Sequence, residues 1–288
     1  MAMTIQWYPG HMTKARRMME ENIKLIDLII ELVDARIPLS SRNPDIDTLG
    51  RNKSRIVLLN KSDLADPRAN KKWMEYFQKT GAFVVEMNSK SGSGIKAIHG
   101  IVQEACKEKI ERDRKRGIIN RPVRAMVVGI PNVGKSTFIN SFAGKACAKT
   151  GNRPGVTKGK QWIKLNKTLE LLDTPGILWP KFEDQSVGLK LALIGSMNDE
   201  VVQMEEMAVD LIRLLSESYP GTLQNRYASE NSVWPESKDA YEILRCIARS
   251  RGCLKKGEEL DTEKAAYLLM DDFRAGRLGR ISLEVPEI

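Results

Sequence analysis

Gly129-Ile130-Pro131-Asn132-Val133-Gly134-Lys135-Ser136 decides how this chain folds. The stretch has the pattern G-x-x-x-x-G-K-[ST]. The apolar run Arg124 to Val128 precedes it, and the helix-forming stretch Lys135 to Phe142 follows. A strand that passes through a glycine turn into a helix is the setting in which this pattern cradles phosphate. The glycines let backbone N–H groups close on phosphate oxygens, and the helix N-terminus adds a positive partial charge. Lys135 is placed to reach the β- and γ-phosphates and Ser136 to ligate Mg²⁺. Val133, Gly134 and Thr137 complete the nucleotide-contacting set of this loop. A bare glycine turn before a helix is the competing reading, and the flanking elements weigh against it.

Moving outward, Leu169-Glu170-Leu171-Leu172-Asp173-Thr174-Pro175-Gly176 ends a second strand candidate in D-x-x-G. Asp173 there is suited to holding Mg²⁺ through water, and the Gly176 N–H to touching the γ-phosphate. Between the two lies Pro154-Gly155-Val156-Thr157, where Thr157 would ligate Mg²⁺ only with the γ-phosphate present; an ordinary loop is the alternative. Upstream, Ile56 to Leu59 runs into Asn60-Lys61-Ser62-Asp63, an N-K-x-D sequence. The Asp63 carboxylate can accept from both guanine N1–H and the exocyclic amine, whereas adenine offers no such donor pair on that edge. Left unpaired it rejects ATP. Lys61 would lay its stem over the base. Asn88-Ser89-Lys90-Ser91-Gly92 follows the next strand candidate and is placed to offer a backbone N–H to guanine O6. Asn60, Asn88, Ser89 and Lys90 join the base-side set.

Around these motifs, short apolar runs alternate with amphipathic stretches. Leu28 to Val33, Arg55 to Leu59, Phe83 to Met87, Arg124 to Val128 and Leu169 to Leu172 read as buried parallel strands. Arg68 to Lys79, Ile95 to Arg116 and Lys135 to Phe142 read as helices. The alternation predicts a three-layer α/β sheet. After Trp179 the spacing changes: Val187 to Ile194, Asp199 to Ser216, Lys238 to Ser250 and Thr262 to Ala275 predict a small all-helical domain. The expected division is 1–180 and 181–288.

The 288 residues are 42% hydrophobic and 29% charged, which excludes a disordered or low-complexity chain. No run reaches the roughly 18 apolar residues of a membrane span. No secretory leader is apparent at Met1 to Gly10, and four scattered cysteines form no C-x-x-C pair, so a reduced cytoplasmic setting is expected. Residues 1–180 hold 32 basic and 17 acidic side chains; residues 181–288 hold 14 and 20. The basic part predicts a polyanionic partner, with nucleic acid ahead of a membrane surface. Three basic clusters stand out: Lys107 to Arg124, Lys145 to Lys167, and Arg245, Arg249, Arg251, Lys255 and Lys256. Phosphate contacts are their simplest use, and a solvated surface is the bland alternative.

Together the five motifs resemble those of a GTPase, in an unusual order. The usual chain runs phosphate loop, switch Thr, D-x-x-G, N-K-x-D, then S-A-K; here N-K-x-D and N-S-K-S come first. The chain is therefore similar to a circularly permuted GTPase cut just after switch II, so that the segment beyond Gly176 leads into the helical domain. Trp7-Tyr8-Pro9-Gly10-His11-Met12-Thr13-Lys14-Ala15 and Asp34-Ala35-Arg36-Ile37-Pro38, with the helical C-terminal part, resemble the ribosome biogenesis GTPase A family over essentially the whole chain. The resemblance implies a permuted P-loop GTPase domain followed by an RNA-contacting helical domain. It implies hydrolysis of GTP to GDP and phosphate, stimulated by the ribosomal subunit. It also implies a factor that binds an immature large subunit and its rRNA as the GTP form and leaves after hydrolysis. DNA and membranes are not expected partners, and a monomer is expected. A regulatory GTPase with a protein partner, a GTPase linked to RNA modification and an RNA-binding module that merely retains nucleotide are the alternatives.

The resemblance also bears on catalysis. Ile177 stands where many GTPases carry a water-orienting Gln, and an aliphatic side chain cannot orient water. His11, read as lying in a Pro-Gly turn before a basic amphipathic helix, is the family's residue for that task, on an arm able to swing toward the nucleotide; a helix cap or RNA contact is the alternative. His99 sits mid-helix and reads as structural. Asn132, in the form G-x-x-N-x-G-K-S, is associated with K⁺ between the β- and γ-phosphates, and a turn bond is the alternative. Lys135 and Thr157 complete the catalytic set.

Overall fold

The computed structural model describes residues 10–119, 121–148, 161–179, 182–228, 234–236 and 239–286, except for the side chains of His11 and Val201. Thr157, its Pro154–Thr157 run and Trp7 to Pro9 lie outside the described residues.

Among the described residues six strands form one sheet: β1 (Leu28–Asp34), β2 (Ser54–Asn60), β3 (Phe83–Glu86), β4 (Val123–Val128), β5 (Gln161–Lys164) and β6 (Leu169–Asp173). Their spatial order is β3-β2-β1-β4-β6-β5, parallel throughout except for β5 against β6. Every residue of β1 is buried, as befits the strand between β2 and β4. The alternation of β2 splits the core. Val57 and Leu59 pack with Trp73 and Phe77 of α3 (Pro67–Lys79). Ile56 and Leu58 join the main cluster with Ile98 and Val102 of α4 (Ile95–Ala105) and Phe138 of α6 (Lys135–Ala143). Local chemistry starts α3: Asp66 accepts the Arg68 N–H and Pro67 takes the first helical position.

The parallel strands end on one edge. Asp34, Asn60, Val128 and Asp173 close β1, β2, β4 and β6 there. Crevices outside such carboxyl ends are where open α/β sheets bind ligands.

Beyond residue 182 the regular elements are helical: α7 (Gln185–Leu193), α8 (Met204–Ser218), α9 (Thr222–Tyr227), α10 (Ala240–Ser250) and α11 (Thr262–Arg274). Met207, Leu211, Ile247, Leu269 and Phe273 from α8, α10 and α11 are buried in their core. No described helix is long and apolar enough to cross a membrane.

Several elements depart from the sequence reading. The helix expected from Ile95 to Arg116 breaks at buried Cys106, with φ −105° and ψ 9°, into α4 and α5 (Lys107–Lys115). No α5 residue is fully buried, and among its side chains Ile110 packs against the main core, so little apolar contact holds it in line with α4. The helix expected from Asp199 begins with one 3₁₀ turn, Asp199–Val201, and starts in earnest at Met204. Short α2 (Asp45–Leu49), α9 and the edge strand β5 carry too few residues to show a period.

His11 is not in a turn before a helix. It lies within the first turn of α1 (Gly10–Asn22), and α1 is packed rather than a free arm: Met12, Ala15 and Met19 are buried in the core. Met19→Ala is expected to cost about 2–5 kcal/mol in urea unfolding, the range for a buried side chain that leaves a cavity. A loss below about 0.5 kcal/mol would mean that α1 does not pack on this core.

Candidate active site

The phosphate loop takes its shape from three backbone exceptions. Gly129 and Gly134 have φ of +152° and +103°, and Asn132 adopts a left-handed φ of +57°. A Cβ on Gly129 would stand 2.7 Å from the Leu32 carbonyl oxygen, and one on Gly134 would collide with the Asn60 amide. Only glycine lets the loop sit this close to β1 and β2. Lys135 opens α6 nearly enclosed, 7% exposed, and its Nζ donates to the carbonyls of Gly129 (3.0 Å) and Ile130 (2.9 Å). Burial pushes its pKa down to about 8, against the pull of Asp173. A cation desolvated in this way gains most from an anion.

Asp173 stands across β4, in register with Val127. It is 2% exposed and its Oδ1 meets no hydrogen-bond partner. Burial pushes its carboxyl up to about 6, with Lys135 opposing. Thr174 Oγ1 donates to the Val127 carbonyl at 2.7 Å and fixes the turn that follows. Gly176 is forced by contact, since a Cβ would come within 2.8 Å of Lys135 Nζ and of Pro131. No described group of three His, Cys, Asp or Glu side chains forms a metal cage. Mg²⁺ seldom needs one, because it binds through one or two protein oxygens, water and substrate phosphate. The unpartnered Asp173 oxygen beside the phosphate loop suits that mode, with Ser136 on the adjoining helical turn.

The base-side motifs meet this loop through Asn60. Its Nδ2 donates to the Val133 carbonyl at 2.7 Å, and its Oδ1 accepts from Ser89 N (2.9 Å) and Ser89 Oγ (2.8 Å). Ser141 Oγ of α6 donates to the Ser89 carbonyl at 2.8 Å. Asn60, sought among base-contacting residues, thus spends its buried amide on tying three loops together. Asn88 folds its own loop, accepting from Lys90 N (2.8 Å) and Ser91 N (3.1 Å). Lys90 and Asp63 are exposed, and Asp63 follows directly on the loop that Asn60 anchors.

Lys61 adopts a left-handed φ of +58° and its Nζ lies 3.0 Å from Asp34 Oδ2. Arg36 pairs with the same carboxylate through Nε (2.9 Å) and Nη2 (2.8 Å). Burial would raise the Asp34 carboxyl, but the Arg36 and Lys61 charges outweigh it and hold it far below the carboxylate range. The sequence reading marked the D-A-R run without giving it a task. The available signal was a carboxylate ending the strand beside the N-K-x-D strand.

The helical part reaches the same loop. Asn132 Nδ2 donates to the Gly195 carbonyl at 2.7 Å, and Ser196 Oγ to the Pro131 carbonyl at 3.0 Å. The nitrogen is not the atom with which an amide would ligate K⁺. Ile177 is 3% exposed, its side chain turned into the core. The next residue, Leu178, donates its N–H to Met12 Sδ at 3.5 Å, so the first turn of α1 rests on the segment after Gly176. The His99 ring lies against that of Phe142, with centroids 4.4 Å apart and planes tilted by 33°, a packing role. Arg245 and Arg249 reach solvent on one face of α10 with Glu242.

Comparison with known proteins adds a family to this geometry. The family described as 50S ribosome-binding GTPase matches residues 124–238, beginning within β4. Ribosome biogenesis GTPase A of Bacillus cereus is 50% identical over 285 residues, 99% of this chain and 95% of that protein. The protein of the same name from Thermotoga maritima is 33% identical over 283 residues, 98% of this chain and 95% of its own. Among solved structures, GNP-bound YlqF from T. maritima superposes with a TM-score of 0.67 at 30% identity, over 95% of this chain and 99% of that one. Its GDP-bound form matches with the same TM-score and identity. The chain is a GTPase with a circularly permuted P-loop domain, and it belongs to the ribosome biogenesis GTPase A family.

Proposed function

We propose that this GTPase binds immature large ribosomal subunits in its GTP form and leaves them after hydrolysis. The observation that carries the reading is the Asn60 amide bonded to both Val133 and Ser89, which joins base-reading and phosphate-holding loops at one sheet edge. Asp63 reads guanine, the Asn88–Lys90 loop offers its N–H groups to O6, and Lys61 covers the base while Asp34 fixes its ammonium group. Gly134, Lys135, Ser136 and Thr137 take the phosphates, and Gly176 N–H meets the γ-phosphate. Lys135 exchanges its two loop carbonyls for phosphate oxygens. Bound Mg²⁺, held by Ser136, by Thr157 and through water by Asp173, would draw negative charge off the transferring phosphoryl group. K⁺ at Asn132 would add to that stabilisation.

His11 positions the attacking water. Its helix rests on the segment after Gly176 through Met12 and Leu178, and a displacement of that helix, in place of a free arm's swing, carries His11 to the nucleotide. With γ-phosphate bound, Thr157 and the loop after Asp173 order together. In sequence the segment beyond Gly176 leads on to α7, and Gly195 and Ser196, in the turn after α7, bond Asn132 and Pro131, so switch movement reaches residues 181–288 over a short path. The basic residues of 107–124, 145–167 and the Arg245–Lys256 patch meet rRNA phosphates. The factor works as a cytoplasmic monomer with no DNA or membrane partner.

Co-sedimentation with immature large subunits tests the reading. Association with a non-hydrolysable GTP analogue and its loss with GDP are expected; binding indifferent to nucleotide would contradict it. In the subunit-stimulated assay, His11→Ala is expected to lower the rate about 100-fold with GTP affinity nearly unchanged, and equal losses in both would remove His11 from water positioning. Replacing K⁺ by Na⁺ at constant ionic strength in that assay should slow turnover; identical rates would remove K⁺ from Asn132.

A further inference from the structure

We infer that residues 274–284, the segment that leaves α11, form a clasp that positions the guanine-reading loop and joins it to the phosphate loop. The inference rests on the reading of Asn60–Asp63 as that loop. The chain does not stop on the helical bundle but returns to the sheet edge. Arg280 donates from Nε to the Ala65 carbonyl and from Nη2 to the Ser62 carbonyl, both at 2.9 Å, bracketing Asp63. Ile281 N donates to the Leu64 carbonyl at 2.9 Å, and Ser282 Oγ accepts from Asp66 N at 3.0 Å. The backbone on both sides of Asp63 is thus tied residue by residue to one segment more than 200 positions away.

The clasp is itself anchored. Ile281 and Ser282 are 2% and 5% exposed. Tyr219 at the end of α8 donates its hydroxyl to the Ser282 carbonyl (3.0 Å) and accepts from Ser282 N (2.9 Å). Glu284 accepts from Leu39 N (2.9 Å) and from Lys190 Nζ (3.2 Å) of α7. Leu283 N donates to the Arg36 carbonyl at 2.8 Å, and the Arg36 guanidinium lies 5.4 Å over the Phe273 ring of α11. Arg36 shares Asp34 with Lys61, so the clasp reaches both sides of the base-reading loop.

At its other end the segment holds the phosphate side. Arg274 donates to the carbonyls of Leu193 (3.0 Å) and Ala192 (2.8 Å), fixing the turn whose Gly195 carbonyl receives Asn132. Arg274 and Arg280, six positions apart in the sequence, therefore brace opposite ends of the nucleotide site. An exposed carboxylate discriminates between bases only when its backbone is held to within about half an ångström. The Ser62 carbonyl of the 3₁₀ turn Ser62–Leu64 already meets Ala65 N–H and the Asn70 amide; Arg280 adds a third donor there, and the clasp gives the Leu64 carbonyl the Ile281 N–H. Arg280 is a positioning residue for guanine selectivity, and a pull on the helical bundle is felt as faster nucleotide release.

The test uses the full chain with Arg280→Ala, Arg280→Lys and the milder Ser282→Ala, titrated with GDP, inosine diphosphate and ADP. Inosine diphosphate lacks the exocyclic amine that Asp63 would bind. Arg280→Ala is expected to weaken GDP about tenfold, speed its release and shrink the ratio of GDP to inosine diphosphate affinity, with ADP binding unchanged. Arg280→Lys should recover part of the ratio, and Ser282→Ala should shift it in the same direction by less; these two decide the matter if Arg280→Ala does not fold. Lower melting temperatures with wild-type GDP affinity and ratio would overturn the clasp. Asp63→Asn separates the underlying reading: its amide should exchange guanine for xanthine, whose C2 carbonyl accepts a hydrogen bond. If Asp63→Asn leaves guanine preference intact, the loop assignment fails, and the clasp falls with it.

Discussion

One buried amide sets the spacing of the whole site. Asn60 gives its nitrogen to the loop after β4 and its oxygen to the loop after β3, while its own backbone continues into Lys61 and Asp63. Each partner is a backbone group or a short side chain, so the three loops cannot drift independently. Gly134 is part of the same constraint, because any side chain there would strike the Asn60 amide. In a buried setting an unmade bond to such a group costs its full desolvation, about 1–3 kcal/mol, which favours one arrangement over looser ones.

The rearranged motif order is compatible with this because a sheet senses which strands are neighbours, not which comes first. β4 lies between β1 and β6, and the motif-bearing ends of β1, β2, β4 and β6 share one edge whichever element opens the chain. Moving the chain ends has a consequence at the switch. In sequence the residues after Gly176 lead on to α7, and Gly195 and Ser196, in the turn after α7, bond Asn132 and Pro131. The first turn of α1 lies there too, through Met12 on Leu178. Helical part, phosphate loop and α1 therefore meet around a segment whose position depends on the γ-phosphate in the proposed cycle.

Much of this was legible in the sequence, and the limits follow from the range of the interactions. Strands such as Leu28–Asp34 and Leu169–Asp173 show as largely apolar runs, interrupted within by Glu31 and Glu170, because most of their residues are buried. The phosphate loop shows because its glycines answer to local sterics. Elements of four to six residues, β5, α2 and α9, carry no period to read. The break at Cys106 depends on what α5 fails to touch. Asn60 was found by its motif but assigned to the base, since nothing local says that its amide faces Val133. Asp34 and Arg36 stood in plain view, yet their task appears only with Lys61 in place. Arg280 had no signal at all, for its partners lie at the opposite end of the chain.

The most direct test of the account is calorimetry of GDP and ADP binding to the wild-type chain and to Asn60→Ala. The account predicts a strong preference for GDP in the wild type. It predicts at least a tenfold loss of GDP affinity on removing the amide, the effect of about 1.4 kcal/mol. Equal affinity for GDP and ADP, or wild-type GDP binding in Asn60→Ala, would contradict it.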